Sequence, residues 1–246
     1  QTLVLATPYL GTTDPYATYA IRSPAVEERV IYYSEAGLPQ AWPATNALSL
    51  QADGDDITGL MPSGSFLYVL EREHIYRFTF KDDPATDGAV FLASQRGCLN
   101  QRMWVHAEDV VYMLDEQGIH AFTGGQAEPI SQSIQDLFRD DTDSPLRIDW
   151  NADQTLWSAS YSEVHATIRW FVAMTGTRYP RHALCYNYRE QRWWTEEYHR
   201  PICSSARARI GVVRLLAGVD HREVLALDTG YTDGPRDPTG TLRGTV

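Results

Sequence analysis

A hairpin sequence that occurs twice constrains the fold of this chain more than any other feature. Residues 66–79 and 110–123 lie 44 positions apart, and each joins two short apolar runs and ends in Phe-Thr. The matched positions are Tyr68 with Tyr112, Leu70 with Leu114, Glu71 with Asp115, Ile75 with Ile119, and Phe78 with Phe122. A repeat of roughly 40 to 50 residues built from short strands is typical of β-propeller blades.

Runs of alternating apolar and polar residues predict further short strands along the chain. Besides the two hairpins, we expect strands at 30–35, 156–161, 167–174, 183–188, 192–196 and 224–228. The predicted fold is therefore all-β, a β-propeller of about five or six blade-like units. A two-sheet sandwich would have a similar density of strands, but it does not account for the repeat.

Local signals predict one tight turn and one helix. Gly118 ends the turn that begins at Asp115, where a glycine can adopt a positive φ that is costly for other residues. A short helix is predicted near 131–139, because Ile134, Leu137 and Phe138 fall on one face. Ser131 is its expected N-cap residue.

The strand signals divide the chain into three segments. Residues 1–27 are expected to form an extended lead-in, residues 28–232 the propeller, and residues 233–246 a turn-rich C-terminal segment. Because the chain begins at Gln1 without a methionine and ends after a turn-rich run, we expect a propeller that is incomplete at both ends. The longest apolar runs are far shorter than the roughly 20 residues of a membrane-spanning helix.

Charge and cysteine content disfavour some functions. A net charge of −11 argues against sequence-independent binding of nucleic acid, which requires clustered cations. Cys98, Cys185 and Cys203 are odd in number and widely spaced, so we expect buried free thiols in place of a zinc site or a disulfide framework. The sequence predicts no cofactor and no bound metal.

Acidic side chains are the first candidates for chemistry. The runs at 53–56 and 140–143 lack the loop length and terminal glutamate of an EF-hand, so solvated turns are expected there. Glu35, Glu71 and Asp115 occupy equivalent hairpin positions and are candidates for a glycosidase carboxylate pair. A carboxylate that recurs in each hairpin usually ends a strand at its turn, so no catalytic residue is predicted.

Two further groups are candidates for binding. Trp193 and Trp194 are neighbours in a predicted strand, so they point to opposite faces and at most one is available to a sugar ring. Arg207, Arg209 and Arg214 are predicted to alternate along one face of a strand pair. Such a stripe is a candidate contact with an acidic neighbouring subunit.

The order of several short motifs resembles that of a phage protein family. The motifs are Arg-Val-Ile-Tyr-Tyr-Ser-Glu-Ala-Gly-Leu-Pro-Gln-Ala-Trp at 29–42, Asp-Ile-Thr-Gly-Leu at 56–60, and the segments 94–102, 129–134, 183–195 and 227–231. Together with the two hairpins, they are similar to the β-propeller of tail nozzle and packaged-DNA stabilisation proteins in short-tailed bacteriophages. The resemblance covers roughly residues 28–232.

This resemblance implies a non-enzymatic virion protein in the phage tail, assembled in the host cytoplasm. Its expected partners are further copies of itself in a ring, the portal or adaptor, and other tail proteins. Double-stranded DNA would pass without sequence-specific binding, because an acidic channel wall repels phosphate. A carbohydrate-active or carbohydrate-binding propeller is the alternative. A cellular peptide-binding propeller is a third hypothesis, although no WD or kelch signature repeats in this sequence.

Overall fold

A computed structural model of the protein describes residues 5–7, 19–22, 30–35, 37–50, 55–64, 66–79, 89–140, 146–210, 212–220 and 223–227. Within these residues the chain forms five antiparallel sheets and two short 3₁₀ helices. No helix in the described part of the chain has the length and apolar character needed to cross a bilayer.

Each sheet is built from strands that are consecutive in the sequence. Blade 1 contains β1 (Leu5–Thr7), β2 (Tyr19–Arg22), β3 (Val30–Tyr33) and β4 (Ala47–Ser49). Blade 2 contains β5 (Ile57–Ser63), β6 (Phe66–Glu71), β7 (Ile75–Thr79) and β8 (Ala89–Ser94). Blade 3 contains β9 (Trp104–Ala107), β10 (Val110–Asp115), β11 (Gly118–Phe122) and β12 (Glu128–Pro129). Blade 4 contains β13 (Ser158–Ser162), β14 (Thr167–Val172), β15 (His182–Asn187) and β16 (Arg192–Glu197). Blade 5 contains β17 (Ile202–Ile210), β18 (Val212–Val219) and β19 (Val224–Leu227).

Meandering sheets of four strands are the building units of a β-propeller. Four of the five described sheets have four strands each, and the fifth has three. The predicted all-β propeller is therefore confirmed, with five blades in the described part of the chain. Strands β1 and β2 lie in the segment expected as an extended lead-in, and β2 pairs with β3 through Ile21 and Tyr33. Residues 233–246 lie outside the described residues.

The chain divides into two compact units. One comprises residues 1–101 and 122–127, and the other comprises residues 102–121 and 128–246. In the first unit, residues of blades 1 and 2 form one apolar cluster: Ile31, Tyr33, Leu50, Leu60, Leu67, Val69, Tyr76 and Phe78. In the second unit, residues of blades 4 and 5 form another: Phe171, Ala183, Cys185, Ile202, Ala217 and Val219.

The repeated hairpins are the second and third strands of blades 2 and 3. Strands β6 and β10 share one burial pattern, in which a half-buried first residue is followed by five buried ones. Eight matched side chains are at most 8 % exposed: Tyr68, Leu70, Ile75, Phe78, Tyr112, Leu114, Ile119 and Phe122. Both copies therefore use the same positions to fill their blades.

The turn between β10 and β11 has the backbone that its glycine predicts. Gly118 has a φ of +140°, and the Asp115 carboxylate accepts a hydrogen bond from the Gln117 N–H at 2.7 Å. A Cβ atom on Gly118 would lie 2.4 Å from the Ser131 Oγ atom. Glycine is therefore required here both by backbone conformation and by space.

The predicted helix near 131–139 is a 3₁₀ helix over Gln132–Leu137, and Ile134 inside it has non-helical dihedral angles. The predicted capping role of Ser131 is wrong, because its side chain makes no cap hydrogen bond. The Ser131 hydroxyl instead accepts the Ile119 N–H of β11 at 2.9 Å. The Ser131 oxygen is therefore engaged by β11 and is not available to cap the helix.

We predict that Phe122→Ala lowers the free energy of unfolding by about 3–5 kcal/mol, the usual cost of emptying a buried phenylalanine site. Phe122 is 1 % exposed, and its ring meets that of Tyr68 edge-on at a centroid distance of 5.0 Å. Urea unfolding of the two proteins measures the difference. Phe91→Ala is the matched control, because Phe91 is 49 % exposed. A loss below about 1 kcal/mol for Phe122→Ala would show that this position is not a core position.

Candidate functional site

The first strands of blades 3, 4 and 5 line a cavity of about 240 Å³. Strands β9, β13 and β17 each lie at one edge of their sheet, and β13 is in contact with both of the others. The lining residues are Val105, His106, Ala159, Ser160, Tyr161, Ser205, Ala206 and Arg207. All of them belong to the second compact unit.

Hydrogen bonds outside the sheets hold these edge strands together. The Ala159 N–H donates to the carbonyl of Arg102, just before β9, at 2.6 Å. On the other side, the Ser205 hydroxyl lies 3.2 Å from the Ala159 carbonyl and 3.3 Å from the Ser158 hydroxyl. The Arg102 guanidinium also donates to the Cys203 carbonyl at 3.3 Å. The cavity walls are thus joined by one backbone hydrogen bond and by side chains that donate mainly to backbone carbonyls.

Ser160 gives the cavity a polar group that the protein does not satisfy. The residue is 6 % exposed, and its hydroxyl oxygen is buried without a hydrogen-bond partner in the described part of the chain. Burying a hydroxyl without a partner costs on the order of 1–3 kcal/mol. The Ser160 hydroxyl thus lies in the cavity wall with hydrogen-bonding capacity that no described protein group uses.

Tyr161 is the centre of a polar network at the cavity. The Arg207 guanidinium lies 5.7 Å from the centre of the Tyr161 ring and 3.5 Å from the Glu163 carboxylate. The Tyr161 hydroxyl oxygen lies 3.2 Å from that of Tyr188, which donates to Glu108 at 3.3 Å. These contacts order the aromatic wall and leave charged groups of both signs beside it.

The tyrosines of this region act as neutral hydrogen-bonding groups. Burial raises the pKa of Tyr161, and the hydrogen bond with Tyr188 raises it further. Burial also raises the pKa of Tyr112 and of Tyr186. A phenol with a raised pKa keeps its proton at neutral pH. Tyr161, which lines the cavity, therefore offers a neutral hydroxyl group and a ring face to a ligand, and no phenolate nucleophile.

The structure divides the predicted arginine stripe. Arg207 and Arg209 lie on one face of β17, two residues apart, and both are exposed. Arg214 of β18 is paired in register with Ala208, so its side chain leaves the sheet on the opposite face. The prediction that all three share one face is wrong. In the observed register of the hairpin, Arg214 lies one position away from the residues of β18 that share a face with Arg207 and Arg209.

The hairpin carboxylates are internal to their hairpins. Glu71 and Asp115 are each 3 % exposed, and Asp115 contacts the His120 Nε2 atom at 2.8 Å as well as the Gln117 N–H. Glu35, by contrast, is exposed at the end of the β3 region. These contacts fit the interpretation that a repeated carboxylate closes the turn at Asp115.

The two adjacent tryptophans point to opposite faces of β16, as predicted. Trp193 stacks on Tyr186 at a centroid distance of 4.4 Å and on Trp170 at 6.0 Å. Trp194 is 39 % exposed and donates its indole N–H to Glu196 at 3.0 Å. Only Trp194 of this pair presents a free surface.

The acidic runs are described in part. Asp53 and residues 141–143 lie outside the described residues. Asp55 is half-buried, and its carboxylate belongs to a group with Glu71 and His74 whose potential metal-ligand atoms all lie within 4.8 Å of one another. Sequence reasoning missed this group, since its members come from two separate loops with no known motif spacing. The only local signal was a histidine three positions after a strand-ending glutamate.

The three cysteines are free thiols, as predicted. Cys98 and Cys185 are buried, whereas Cys203 is half-buried. Burial raises the pKa of Cys203, which lowers the fraction of reactive thiolate at neutral pH.

An ion pair between a buried arginine and a half-buried glutamate lies on blade 4. Arg169 is 6 % exposed, and its guanidinium makes two hydrogen bonds to Glu196, at 2.9 and 3.2 Å. Tyr198 adds a third at 2.5 Å. Burial opposes ionisation of Glu196, but the hydrogen bonds and charge of Arg169, helped by Tyr198 and Trp194, lower its pKa to about 2.

We predict that Glu196 makes stability depend on pH between about 4.5, its ordinary pKa, and about 2. Its folded-state pKa is depressed, so the unfolded chain binds more protons in this window, and the free energy of unfolding falls as the pH falls. Urea midpoints measured across this range for wild type and Glu196→Gln test this. The variant should show a shallower dependence on pH. Glu197→Gln, a change at an exposed neighbour, should keep the wild-type slope, and equal slopes in all three proteins would contradict the prediction.

Comparison with known proteins supports the fold and does not identify a family. No protein-family model matches the chain, and no curated protein sequence matches it. The extracellular domain of a putative hybrid two-component system from B. thetaiotaomicron aligns over 87 % of this chain and 25 % of its own, with 15 % identity and a TM-score of 0.53. The structure of YCF48 bound to D1 peptide aligns over 92 % of this chain and 69 % of its own. The structure of BBS1N in complex with ARL6DN aligns over 91 % of this chain and 64 % of its own. Their identities are 8 % and 13 %, and both TM-scores are 0.49. The chain spans a quarter of the first of these structures, and at such identities the likeness concerns the fold alone.

Proposed function

We propose that this chain is a structural, non-enzymatic protein of a tailed-phage virion, a propeller of the tail nozzle or head-to-tail closure through which packaged DNA is retained and ejected. The observation that carries the proposal is the role of residues 94–102, one of the motifs on which the family resemblance rests. Its residues 94–101, which belong to the first compact unit, tie together the parts of blade 2.

Gln101 makes the most specific of these ties. Its side-chain oxygen accepts the Leu60 N–H at 2.7 Å, and its side-chain nitrogen donates to the Leu60 carbonyl at 3.0 Å. The amide of Gln101 thereby pairs with β5 as another strand would. A Cβ atom on Gly59 would lie 2.4 Å from the Gln101 side-chain oxygen, so the Gly-Leu of the 56–60 motif fits the same contact.

Gly97 and Cys98 fix the same segment to the β6–β7 turn. A Cβ atom on Gly97 would lie 2.2 Å from the Glu71 carbonyl oxygen, and the Cys98 N–H donates to that oxygen at 2.8 Å. The Thr58 hydroxyl donates to the Cys98 carbonyl at 2.6 Å. These motif residues hold the parts of blade 2 together, a structural role that fits a family whose members act mechanically.

Charge fits the same role. A protein with a net charge of −11 repels the phosphates of double-stranded DNA, which favours passage over binding. In the ring that we propose, Arg207 and Arg209 are contacts with an acidic neighbouring subunit. Arg207 already pairs with Glu163 of its own chain, so Arg209 is the better candidate.

We predict that fragments of this chain occur in density-banded virus particles from the source culture, at a fixed copy number relative to the portal. Peptide mass spectrometry with labelled standards measures this ratio and gives the number of subunits in the ring. A chain found only in the soluble fraction, or recovered without a constant ratio to the portal, would contradict the proposal. Host ribosomal proteins in the same bands serve as the control for contamination.

The cavity of blades 3, 4 and 5 favours a second candidate, a propeller that binds carbohydrate. Ser160 offers a buried hydroxyl without a protein partner, and Tyr161 offers a ring and a neutral hydroxyl. The volume of about 240 Å³ lies below the roughly 300–1,000 Å³ of most ligand pockets. The cavity therefore suits a single sugar ring better than an extended glycan.

If this candidate is correct, the purified chain should bind members of a glycan array, and Ser160→Ala should weaken that binding roughly two- to tenfold, the loss of one hydrogen bond of about 0.5–1.5 kcal/mol. Folding should be unchanged or slightly improved, since the variant removes an unsatisfied buried group. Ser162→Ala is the control, because Ser162 is buried in the same strand and does not line the cavity. An array without signal, or equal binding by both variants, would exclude this site as a sugar site.

A further inference from the structure

Asp55, Glu71 and His74 bring three potential metal ligands together in the first compact unit. One oxygen from each carboxylate and one imidazole nitrogen all lie within 4.8 Å of one another. Glu71 is buried, whereas Asp55 and His74 are half-buried. The group therefore combines one side chain closed off from solvent with two that are partly exposed.

The backbone positions these side chains independently of any ion. Glu71 is the last residue of β6 and His74 directly precedes β7, and the Glu71 N–H donates to the His74 carbonyl at 2.9 Å. Asp55 precedes β5, and its two carboxylate oxygens accept the N–H groups of Asp56 at 2.9 Å and Glu73 at 2.6 Å. Metal-binding carboxylates are commonly oriented by such outer hydrogen bonds.

Electrostatics favour a cation in this group. Glu71 is 3 % exposed and lies beside a second carboxylate, so two negative charges approach each other where water screens them poorly. A divalent ion between the two carboxylates would offset both their repulsion and the desolvation of Glu71.

The second copy of the hairpin shows the same position put to a purely structural use. There, Asp115 replaces Glu71 and contacts His120 at 2.8 Å, and Gly118 stands in place of His74. In the first copy the carboxylate side chain is longer, and the Glu71 Oε2 and His74 Nδ1 atoms are 3.8 Å apart. That distance exceeds a hydrogen bond. It is close to the roughly 3.4 Å that separates two ligand atoms around a tetrahedral metal with bonds of about 2.1 Å.

We propose that Asp55, Glu71 and His74 form a binding site for one divalent transition-metal ion, with Zn²⁺ as the best match. One imidazole and two carboxylates are a donor set that zinc accepts, and the imidazole disfavours Mg²⁺ and Ca²⁺, which prefer oxygen ligands alone. The bound ion joins the residues before β5 to the β6–β7 turn. The ion thus links two segments of blade 2. The metal site does not depend on the proposed virion role.

The test is titration calorimetry of the full 246-residue chain, treated with EDTA and dialysed, with ZnCl₂ as the only ligand. Wild type should bind one equivalent of Zn²⁺. His74→Ala and Asp55→Asn should each weaken this binding by at least about tenfold, the lower end of what even outer-sphere changes cost metal sites. At a hundredfold excess over Kd, Zn²⁺ should raise the Tm of wild type by roughly 5 °C or more, with little effect on the two variants.

Matched controls separate this site from adventitious binding. Asp56→Asn and His199→Ala alter an exposed neighbour and an exposed histidine outside the group, and both should retain wild-type affinity. Tm values in EDTA establish that every variant is folded, and half-buried Asp55 gives a variant that does not disturb the core. Absence of stoichiometric binding, or equal affinity in wild type, His74→Ala and Asp55→Asn, would overturn the proposal.

Discussion

The structure depends on strands that are buried on both faces. In β6 and β10 every residue after the first is buried, in β14 all six are, and in β15 the first five are. Successive side chains of a strand point to opposite faces, so each of these sheets needs an apolar layer on either side. A two-sheet sandwich with a solvated outer surface does not provide two such layers. Stacked blades do, as in the apolar cluster that blades 1 and 2 share and the one that blades 4 and 5 share.

Sequence patterns predicted the repeated hairpins and also the strands of blade 4, which lie outside the repeat. The duplicated hairpin gave both the fold and the correct partners in the core, because identical burial forces similar residues into matched positions. Strand β5 was not predicted as a strand, since Gly59 and Pro62 interrupt its apolar pattern. Proline is tolerated there because β5 is the edge strand of its sheet, and Gly59 is needed for the close approach of Gln101.

The candidate sites depend on information that sequence reasoning does not contain. The position of Arg214 follows from the register of the β17–β18 hairpin, and one residue more or less in that turn would reverse its face. The cavity and the metal-ligand group combine side chains from loops and edge strands far apart in the chain, such as Asp55 with His74. None of these residues stands in a distinguishing local sequence pattern. The buried hydroxyl of Ser160, for example, is recognised as unsatisfied only once its surroundings in the fold are known.

The ion pair of Arg169 and Glu196 has a consequence for how blade 4 assembles. The pair spans three strands, from β14 across β15 to β16, and the register sets Arg169 opposite Cys185 and Ala183 opposite Glu196. The small side chains of Ala183 and Cys185 leave space for the guanidinium to cross the middle strand. A slip of one residue would send the two charges to opposite faces, and a slip of two would separate them along the sheet. An uncompensated buried charge is far more costly than a lost apolar contact. The ion pair therefore disfavours strands paired out of register, which the surrounding apolar residues alone would tolerate.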